Sequence, residues 1–559
     1  MANHLKMAKR ATESPAPSAI ESELMISEPI RAGRGVPIRA GRGVLIRAGR
    51  GVGRACLLAT TLLASLSAAW PAAADDPSGL ATAAAIENTF IKAIEQAEPS
   101  VVSIARDKPG RRLVKDDDLF RHADPELPTI DSPEYIPTEF GAGVIVRDDG
   151  LILTNYHLVR GAAIDGKTAP SDQVLYVRLF DRRGFHARIF AADPRSDLAI
   201  LKIEAPRLKP IKFGNATNLR KGQLVLGLGN PYAIARDGSP SASWGMISNI
   251  SRYAGAEPGA RDEESLKNES VHHLGTLLQV DTRLNLGTSG GALLNLRGEM
   301  IGLTTSLAAI VGYEKSAGFA VPCDEAFMRV IKTLMEGYEV EYGFLGVTPR
   351  DLDGDKIRSL ADRIGQYGAA RVATVIPNSP AAQGRMRPDD IVVSVNGRPV
   401  LSRSDLMREV GLLAPGAKAR IVVWREAEAA ELALTVIVGK WPVKDDEGIV
   451  ASRRRYAAWR GLVVDFSTAR FRFLPTHNLN PTLVASVLAL EVEPQGAAAE
   501  AGLQPGDFIT RVGDTPVQTP QQFYDAVKKL TGPVKLSVAV LSPPLMAFPG
   551  EKEIVVKAP

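Results

Sequence analysis

The chain has 559 residues, of which 45% are hydrophobic, and its formal net charge is +4 at pH 7. Residues 1–74 contain 10 of the 67 Lys/Arg and 4 of the 63 Asp/Glu, so the remaining 485 residues hold 57 and 59 and carry a net charge of −2. This nearly neutral body argues against a nucleic-acid partner, and its length predicts about three packed domains.

The first 54 residues are of low complexity. The heptapeptide Ile-Arg-Ala-Gly-Arg-Gly-Val occurs three times at eight-residue spacing, starting at Ile30, Ile38 and Ile46. The segment has too little apolar content to fold. It is either a basic tail with its own function or the result of a mis-assigned start codon or a recent repeat expansion, and the second explanation is favoured.

An apolar run follows at Ala55–Ala69 and ends in Trp70-Pro71-Ala72-Ala73-Ala74-Asp75. Arginines before an apolar run and small residues after it predict a secretory signal, here cleaved after Ala74. We therefore expect an exported protein, periplasmic or secreted, in which residues 1–74 are a basic leader plus a signal peptide. The run is short for a membrane span, and an uncleaved anchor at residues 55–74 is the alternative.

The chain contains two cysteines. Cys56 lies in the leader, so the mature chain keeps Cys323 alone and no intramolecular disulfide is expected. Cys323 follows an apolar strand pattern and is expected to be a buried small apolar residue. No group of His, Cys, Asp and Glu has metal-ligand spacing, so neither a metal nor a cofactor is predicted.

A histidine marks the end of the first predicted hairpin. Strand patterns at Gly141–Val146 and Leu151–Val159 are joined by the turn Asp148-Asp149-Gly150. His157 lies where the second of these strands ends.

An aspartate and a serine occupy similar positions further along. Asp197 precedes the apolar strand Leu198–Ile203, and Ser289 lies in the glycine-rich turn Asn285–Gly291 between two apolar runs. The chain order His157, Asp197, Ser289 is that of chymotrypsin-like proteases.

Peptide cleavage gives each of these residues a role. The hydroxyl of Ser289 is a poor nucleophile, so His157 would take its proton during attack and return it to the leaving amine. Asp197 would hold the imidazole in the correct tautomer and stabilise the imidazolium. Backbone N–H groups of Gly287, Ser289 and also Thr288 would bind the developing oxyanion.

Residues 85–336 resemble the protease domain of the HtrA (Deg) family of serine proteases. Beyond the segments that carry the three polar residues, the resemblance rests on Ala97–Ile104, Gly227–Tyr232, Trp244–Ser248 and Gly318–Pro322. It implies two antiparallel β-barrels with the catalytic cleft between them.

Two residues of the serine turn depart from the family. Leu286 stands where proline is usual, and Thr288 stands where asparagine is usual. Neither residue supplies a triad side chain, so activity is expected to survive. The resting conformation of the turn is in question, because a β-branched threonine is a poor guest wherever φ is positive.

In relatives the strand after the nucleophile pairs with the substrate backbone, and the matching residues here are Thr304, Thr305 and Ser306. No aspartate lies there, so small or medium aliphatic side chains are expected before the cleaved bond. The charged or polar stretches Arg106–Pro137 and Arg252–Gly275 are either plain surface loops or, as the family implies, loops that order and disorder the site. The pair His272-His273 in the second stretch is predicted to be solvated surface.

The C-terminal half of the chain contains a duplication. Units that open at Tyr342 and Trp459 lie 117 residues apart, which indicates a repeated domain rather than a solenoid period. Each continues into an apolar strand, a small-residue helix start and a later hairpin turn. The strands are Ala373–Ile376 and Ala489–Val492, and the hairpin turns are Asn396-Gly397 and Gly513-Asp514.

Both units, residues 341–442 and 456–559, resemble PDZ domains. The first carries Arg385 and Asp389 where relatives usually have glycine. The second keeps Gly502 and Gly506 and is the closer match.

The resemblance implies that an extended peptide adds a strand to each unit and that its terminal carboxylate binds a nest of backbone N–H groups. Helices at Ser404–Leu413 and Pro520–Lys529 would wall the grooves. The side chains that would face the last residue of the peptide are Leu406, Val410, Phe523 and Val527. The nests are offered by Phe344, Leu345, Gly346, Gly461, Leu462 and Val463. A spacer or an oligomer contact is the alternative role of either unit.

The expected fold is mainly β, a chymotrypsin-like double antiparallel β-barrel followed by two small α/β PDZ domains. The expected function is that of an exported, ATP-independent serine endopeptidase. The resemblance implies unfolded or misfolded proteins as substrates, peptide C-termini as PDZ ligands, and a homotrimer or larger homo-oligomer. The alternatives are a non-proteolytic chaperone or peptide-binding scaffold with a resting active site, and a regulatory protease that cuts one partner.

Overall fold

The computed structural model describes residues 77–107, 137, 139–160, 174–230, 237–252, 271–284, 287–305, 318–443, 448–473, 483–542 and 547–558. The predicted leader, signal peptide and alternative anchor lie outside these residues. So do Cys56, Leu286, Ser306 and most of the two predicted loop stretches.

The described part opens with helix α1, Pro77–Ala97, which was not predicted from the sequence. Its apolar residues Phe90, Ala93, Ile94 and Ala97 follow helical spacing and pack into the core of the first half of the protein. The helix therefore forms part of the domain that carries the serine turn.

Six antiparallel strands close into the first barrel in the order β5-β4-β1-β2-β3-β6, with β6 pairing back to β5. Its core contains the alternate apolar side chains of these strands, such as Ile152 and Leu201. The strands are β1 Val101–Asp107, β2 Glu139–Ile145, β3 Leu151–Asn155, β4 Val174–Arg178, β5 Gly184–Asp193 and β6 Leu198–Lys202.

The second barrel is also closed, in the order β10-β11-β12-β9-β8-β7. A core cluster that includes Leu226, Leu228 and Leu303 of this barrel also contains Val144 and Leu153 of the first, so the two barrels pack against each other. The strands are β7 Leu224–Gly229, β8 Ser241–Arg252, β9 Leu277–Val280, β10 Ala292–Leu294, β11 Met300–Thr305 and β12 Gly318–Pro322.

Helix α2, Glu325–Met335, follows the second barrel and is capped by the Asp324 side chain, which accepts from Phe327 N–H at 2.9 Å. Cys323, just before the cap, is buried as predicted. Burial and the neighbouring Asp324 raise the pKa of its thiol. Cys323 is therefore an apolar core residue.

The first PDZ unit contains an antiparallel sheet in the order β14-β15-β16-β18-β19, with β17 beside β16, and a separate pair β13-β20. The strands are β13 Gly343–Phe344, β14 Val347–Asp351, β15 Ala370–Val375, β16 Ile391–Val395, β17 Arg398–Pro399, β18 Lys418–Arg425, β19 Ala430–Ile437 and β20 Gly439–Lys440. The helices are α3 Gly354–Ile364, α4 Pro380–Gln383 and α5 Arg403–Gly411.

A short strand, β21 Val450–Ala451, lies between the two PDZ units and was not predicted. It pairs antiparallel with Ala191 and Ala192 of β5, so the inter-PDZ linker adds a strand to the first barrel.

The second PDZ unit has the sheet order β22-β23-β24-β26-β27, with β25 beside β24. The strands are β22 Leu462–Phe466, β23 Val487–Val492, β24 Phe508–Val512, β25 Thr515–Pro516, β26 Val534–Ser542 and β27 Ala547–Val556. Its helices are α6 Ala497–Glu500 and α7 Pro520–Val527. The expected fold, a double antiparallel β-barrel followed by two PDZ units, is confirmed. Among the helices in the described ranges, none has the length and apolarity that a membrane crossing needs.

Candidate active site

The structure places His157 and Asp197 in direct contact. The imidazole Nδ1 lies 2.8 Å from Asp197 Oδ2 and 3.1 Å from Oδ1, and the backbone N–H of His157 donates to Oδ1 at 2.9 Å. A carboxylate only accepts, so the proton of the neutral ring is on Nδ1 and Nε2 is left as the basic atom.

Neighbouring strands bring the two residues together. His157 lies on a single 3₁₀ turn, Tyr156–Leu158, that follows β3, while Asp197 immediately precedes β6. These strands pair with Asn155 opposite Leu198, and Asn155 Nδ2 donates to Asp197 Oδ2 at 3.1 Å. Asp197 adopts φ +53°, a left-handed conformation that L-residues rarely take.

The environment of His157 favours its charged form. Burial opposes protonation of the ring, but the charge and hydrogen bonds of Asp197 outweigh burial and raise the pKa of His157 above its ordinary value of 6.5. Nε2 is buried and makes no hydrogen bond with any described residue. The contact between Nε2 and Ser289 Oγ is therefore not made in this resting geometry, a common situation before substrate binds.

Ser289 lies just before β10, and its residue is 2% exposed. The turn that carries it uses glycine where φ is positive, at Gly287 (+92°) and Gly290 (+83°). A Cβ on Gly287 would lie 2.2 Å from Asn230 O, so no other residue fits there without backbone movement. Thr288 is not among the described residues with positive φ, so the strain anticipated for threonine does not arise.

Thr304 braces the serine turn, which corrects part of the predicted substrate strand. Its N–H donates to Gly291 O at 2.9 Å, its carbonyl accepts from Gly290 N–H at 2.9 Å, and its hydroxyl donates to Thr288 O at 2.5 Å. Both main-chain groups of Thr304 are thus used within the protein and are not available to pair with a substrate. Thr305 is buried opposite Phe319 in β12, and Ser306 lies outside the described residues.

His272 is not on the surface, contrary to the prediction. It lies on the 3₁₀ turn Val271–Leu274 and is 1% exposed. Its Nε2 is 2.7 Å from Ser196 O and its Nδ1 is 2.7 Å from Thr276 Oγ1. A histidine in a polar stretch gave no signal of this contact, because its partner is 76 residues away in sequence.

The turn before Asp197 is also held by the segment that enters the first PDZ unit. Asp193 accepts from Ser196 Oγ at 2.7 Å and from the Tyr342 hydroxyl. Arg195 donates to Asp193 at 3.0 Å and to the carbonyl of Val340, and its guanidinium lies 4.6 Å from the Tyr342 ring centroid. The loop that presents Asp197 is therefore packed against residues 340–342.

The glycines of the two predicted peptide nests have the same backbone geometry. Gly346 and Gly461 each have φ +81°, and their carbonyls accept from Ile376 N–H and Glu493 N–H at 2.8 Å. Each glycine leads into an edge strand, β14 or β22, whose outer side is not paired within the described sheet. The carbonyls of Leu345 and Arg460, one residue earlier, accept from Ala381 N–H and Ala498 N–H in the same way. The segment equivalent to Phe344–Gly346 is therefore 459–461, so the predicted nest of Gly461, Leu462 and Val463 lies two residues too far along the chain.

In both edge strands, the residue three positions after the nest glycine has no backbone N–H available to an added strand. Pro349 in β14 has no N–H, and the equivalent Val464 in β22 donates its N–H to the Tyr524 hydroxyl at 3.4 Å. Pro349 and Val464 are equivalent because they lie opposite Val372 and Ala489 in the neighbouring strands. The N–H groups of Val372 and Ala489 donate to Asp390 O and Asp507 O, on the side away from the edge strand.

The four helix side chains predicted to face a peptide are core residues. Helices α5 and α7 lie close to the predicted positions, but Leu406, Val410, Phe523 and Val527 are all buried within the cores of their own domains. In this structure they face the core rather than an open pocket, which corrects that prediction.

Two residues of the first PDZ unit stand where relatives usually have glycine, and both keep the positive φ that glycine favours. Arg385 and Asp389 adopt φ +63° and +70°, while Gly502 and Gly506 adopt +90° and +94° at the equivalent positions. The turn geometry is thus kept at some cost in backbone strain.

A buried lysine joins the two PDZ units to the segment that follows the protease helix. Lys440 of β20 lies 3.0 Å from Asp465 of the second PDZ unit and 3.3 and 3.4 Å from Glu339 and Glu341, which follow the protease helix. Burial opposes its charge, but these carboxylates outweigh burial and raise the pKa of Lys440. Burial raises the pKa of Glu341, although Lys440 opposes that shift.

The sequence matches three families of known domains. Residues 141–303 match the trypsin-like peptidase domain, and residues 343–436 and 489–540 each match a PDZ domain. Within the described ranges, no group of three or more His, Cys, Asp or Glu could hold a metal ion.

Relatives along most of the chain are described as proteases. The probable periplasmic serine endoprotease DegP-like of Hahella chejuensis is 31% identical over 468 residues, which is 81% of this chain and 90% of the relative. A relative of the same description from Pseudomonas fulva is 32% identical over 401 residues, 72% of this chain and 76% of its own length.

Among solved structures, the HtrA-type protease AlgW with a decapeptide is 26% identical, with a TM-score of 0.44 over 63% of this chain and 99% of its own. The serine endoprotease from Yersinia pestis is 25% identical, with a TM-score of 0.39 and coverage of 63% and 98%.

One assignment follows from the double barrel, the order of the matched domains and the identity to relatives along most of their length. This chain is a serine endopeptidase of the HtrA (Deg) family, with a trypsin-like peptidase domain followed by two PDZ domains.

Proposed function

We propose that Ser289, His157 and Asp197 form the catalytic triad. Ser289 Oγ attacks the peptide carbonyl while Nε2 of His157 removes its proton and then gives it to the leaving amine, and water reverses the sequence to release the acyl group. The observation that carries this proposal is the pair of hydrogen bonds between Asp197 and His157, one to the ring Nδ1 at 2.8 Å and one from the backbone N–H at 2.9 Å. That hold leaves Nε2 as the base.

The oxyanion would be bound by backbone N–H groups of the turn Gly287-Thr288-Ser289. The positive φ of Gly287 and the bonds that fix Gly290 and Gly291 to Thr304 support this assignment, because a preorganised turn needs no rearrangement as charge develops. Since Thr304 is used within the protein, pairing with the substrate backbone would begin at Thr305 or Ser306.

The proposed substrates are unfolded or misfolded proteins outside the cytoplasm. The relatives are named as periplasmic endoproteases, which supports an exported enzyme. Cleavage of the leader after Ala74 is part of this proposal. We divide the mature chain into a protease domain at residues 85–336 and PDZ domains at 341–442 and 456–559. The anchor at residues 55–74 is the alternative to cleavage.

One observation is also compatible with a second candidate, a chaperone or scaffold whose site stays at rest. His157 Nε2 makes no hydrogen bond with any described residue, so the link from base to nucleophile must form before any cleavage. A protein that never forms this link would hold unfolded chains without cutting them.

Digestion of reduced casein separates the two candidates. The wild type should produce peptides, and Ser289→Ala should not, while both should suppress aggregation of a heated client protein. If wild type and Ser289→Ala both leave casein intact and both suppress aggregation, the chaperone reading replaces the protease reading.

Peptide binding at the first PDZ unit would regulate cleavage. Arg408 of helix α5 donates to Leu274 O at 3.0 Å, on the same 3₁₀ turn that contacts the segment before Asp197, which supports coupling between this unit and the site. Pro349 removes one bond of any added strand, so recognition would rest on the carboxylate and the last residue of the peptide.

A matched pair of peptides tests this regulation. A peptide with a free carboxylate and an aliphatic last residue should raise the cleavage rate, and its C-terminal amide should not, because the amide lacks the charge bound by the nest. Deletion of residues 343–559, which keeps Tyr342 against the turn before Asp197, should remove the response and leave some basal cleavage. Equal effects of acid and amide would show that the unit is a spacer or an oligomer contact.

A homotrimer or larger homo-oligomer is also part of the proposal. Strand β8 exposes Trp244, Met246 and Ile250 by 65%, 42% and 37%, an apolar cluster of the kind covered by a second copy. Analytical ultracentrifugation of Trp244→Ala should show smaller species than the wild type. An unchanged sedimentation coefficient would remove this surface from the proposal.

A further inference from the structure

His272 lies against the backbone of the turn that presents Asp197. Its Nε2 is 2.7 Å from Ser196 O, and a carbonyl oxygen only accepts, so Nε2 carries the proton. In the neutral ring Nδ1 then accepts from the Thr276 hydroxyl, which is also 2.7 Å away. The preceding residue, Val271, donates its N–H to Arg195 O at 2.7 Å.

The carbonyl of Ser196 belongs to the peptide plane that ends in the nitrogen of Asp197. The φ of Asp197 is the rotation immediately after that plane, and it is held at +53°. A non-glycine residue keeps such a conformation only where its surroundings determine it. The orientation of this peptide plane therefore decides where the Asp197 carboxylate points.

We propose that His272 is a positioning residue that holds the Ser196–Asp197 peptide plane and thereby aims the Asp197 carboxylate at His157. This inference rests on the role proposed above for Asp197. The residue acts from the 3₁₀ turn Val271–Leu274 and does not contact the reacting atoms.

Two substitutions test the role of His272. His272→Leu removes the donor, and kcat should fall between about 10- and 100-fold with KM unchanged, as for a small misplacement of a catalytic group. His272→Gln offers an amide donor at the end of a side chain of similar length and should restore much of kcat. In His272→Leu the acid limb of the rate profile should also move toward lower pH, because a misaimed Asp197 no longer supports the charge of His157.

Thermal unfolding of each variant shows whether the protein folds. Thr276→Val removes only the hydroxyl that donates to Nδ1 of His272, and so tests the second hydrogen bond of the ring. A folded His272→Leu enzyme with unchanged kcat and an unchanged acid limb would overturn the inference. If Ser289→Ala also retained activity, the triad itself would be wrong, so the two failures are distinguishable.

A different observation concerns the second PDZ unit. Tyr524 of helix α7 reaches the opposite wall of the groove, where its hydroxyl accepts the Val464 N–H of the edge strand. Tyr456, where the inter-PDZ linker enters the second unit, stacks on it with ring centroids 4.5 Å apart and planes 10° from parallel. The Tyr456 hydroxyl also donates to Gln521 Oε1 on the same helix at 3.1 Å.

The linker that carries Tyr456 is itself fixed to the protease. Residues 450–451 pair with β5, Arg453 N–H donates to Gly337 O at 2.9 Å, and Arg455 donates to Glu339 O at 3.3 Å. We infer that Tyr456 and Tyr524 hold the second PDZ groove closed to an extended peptide with a free terminal carboxylate, and that the docked linker keeps them in place.

Isothermal titration of the full chain tests the closure, with Ser289→Ala as background to keep the peptide intact. Peptide with a free carboxylate should bind one more site per chain in Tyr524→Phe and in Tyr456→Ala than in the background protein. The C-terminal amide should not fill that site. Tyr367→Ala, which alters an exposed tyrosine of the first PDZ unit, is the matched control and should leave the stoichiometry unchanged.

Tyr524→Phe removes only one hydroxyl, so it keeps the variant set informative if Tyr456→Ala is unstable. An unchanged number of sites in folded Tyr524→Phe and Tyr456→Ala proteins would overturn the closure. A peptide that already fills two sites in the background protein would do the same.

Discussion

The hydroxyl of Thr304 donates a 2.5 Å hydrogen bond to the carbonyl oxygen of Thr288, the residue before Ser289. The same carbonyl accepts from Gly291 N–H at 3.0 Å, so two donors fix the peptide plane between Thr288 and Ser289. Strand β11 in this way supports the turn that carries Ser289.

Thr304→Val should weaken that support without changing side-chain shape. Loss of one buried hydrogen bond lowers the free energy of unfolding by about 1 kcal/mol, and the same loss in the transition state would lower kcat/KM roughly fivefold. Urea unfolding and peptide hydrolysis measure both effects. Thr374→Val, which alters an exposed hydroxyl pair with Thr348, is the control and should change neither.

Gly287→Ala should damage the oxyanion hole. The added Cβ would meet Asn230 O at 2.2 Å, so the turn must shift and kcat should fall by about 10²–10³, the effect of losing one oxyanion donor. Gly222→Ala has a similar φ of +83° with nothing within 4 Å of the new Cβ. It should lose stability but keep kcat, and an equal loss of kcat in both variants would contradict the steric argument.

The pH profile should show the effect of Asp197 on His157. The base must be neutral, so kcat/KM should fall as pH drops through the pKa of His157, at a midpoint above the ordinary 6.5. In Asp197→Asn the opposing effect of burial remains alone, and the midpoint should move below 6.5. Because the folded-state pKa is raised, the pair stabilises the fold fully below pH 6.5 and loses that contribution as pH rises through the raised value.

Lys440→Met should loosen the contact between the two PDZ units and the segment that follows the protease helix. It leaves Glu339, Glu341 and Asp465 close together without their shared cation, and breaking a buried ion pair in this way costs about 3–5 kcal/mol. The loss should be smaller at pH 5 than at pH 8, because the pKa of Glu341 is raised and protonation relieves the repulsion. Limited proteolysis between the domains at the two pH values measures it, and adding Asp465→Leu should restore part of the protection.

The strands and turns around the three proposed triad residues were predictable from local patterns. Short continuous apolar runs marked β3 and β6, and the glycines of the Ser289 turn are required by positive φ at Gly287 and Gly290. The Asn396-Gly397 hairpin also has the two positive φ values that such a pair indicates. Roles for the triad stay predictions until tested.

Other features depend on contacts between distant segments. His272 was predicted to be on the surface because the stretch Arg252–Gly275 is largely polar, but it is buried and contacts Ser196. Strand β21 has only two residues and exists because β5 offers an edge to the linker. Spacing along helix α7 singled out Phe523 and Val527, whereas the adjacent Tyr524 reaches across the groove.

Covalent labelling tests the central claim most directly. The purified mature protein should react with a fluorophosphonate, and mass spectrometry should find one adduct, on Ser289. Ser289→Ala should not be labelled, and His157→Ala should be labelled far more slowly, because the members of a triad act as a unit. An adduct on another residue, or undiminished labelling of folded Ser289→Ala, would contradict this account of the active site.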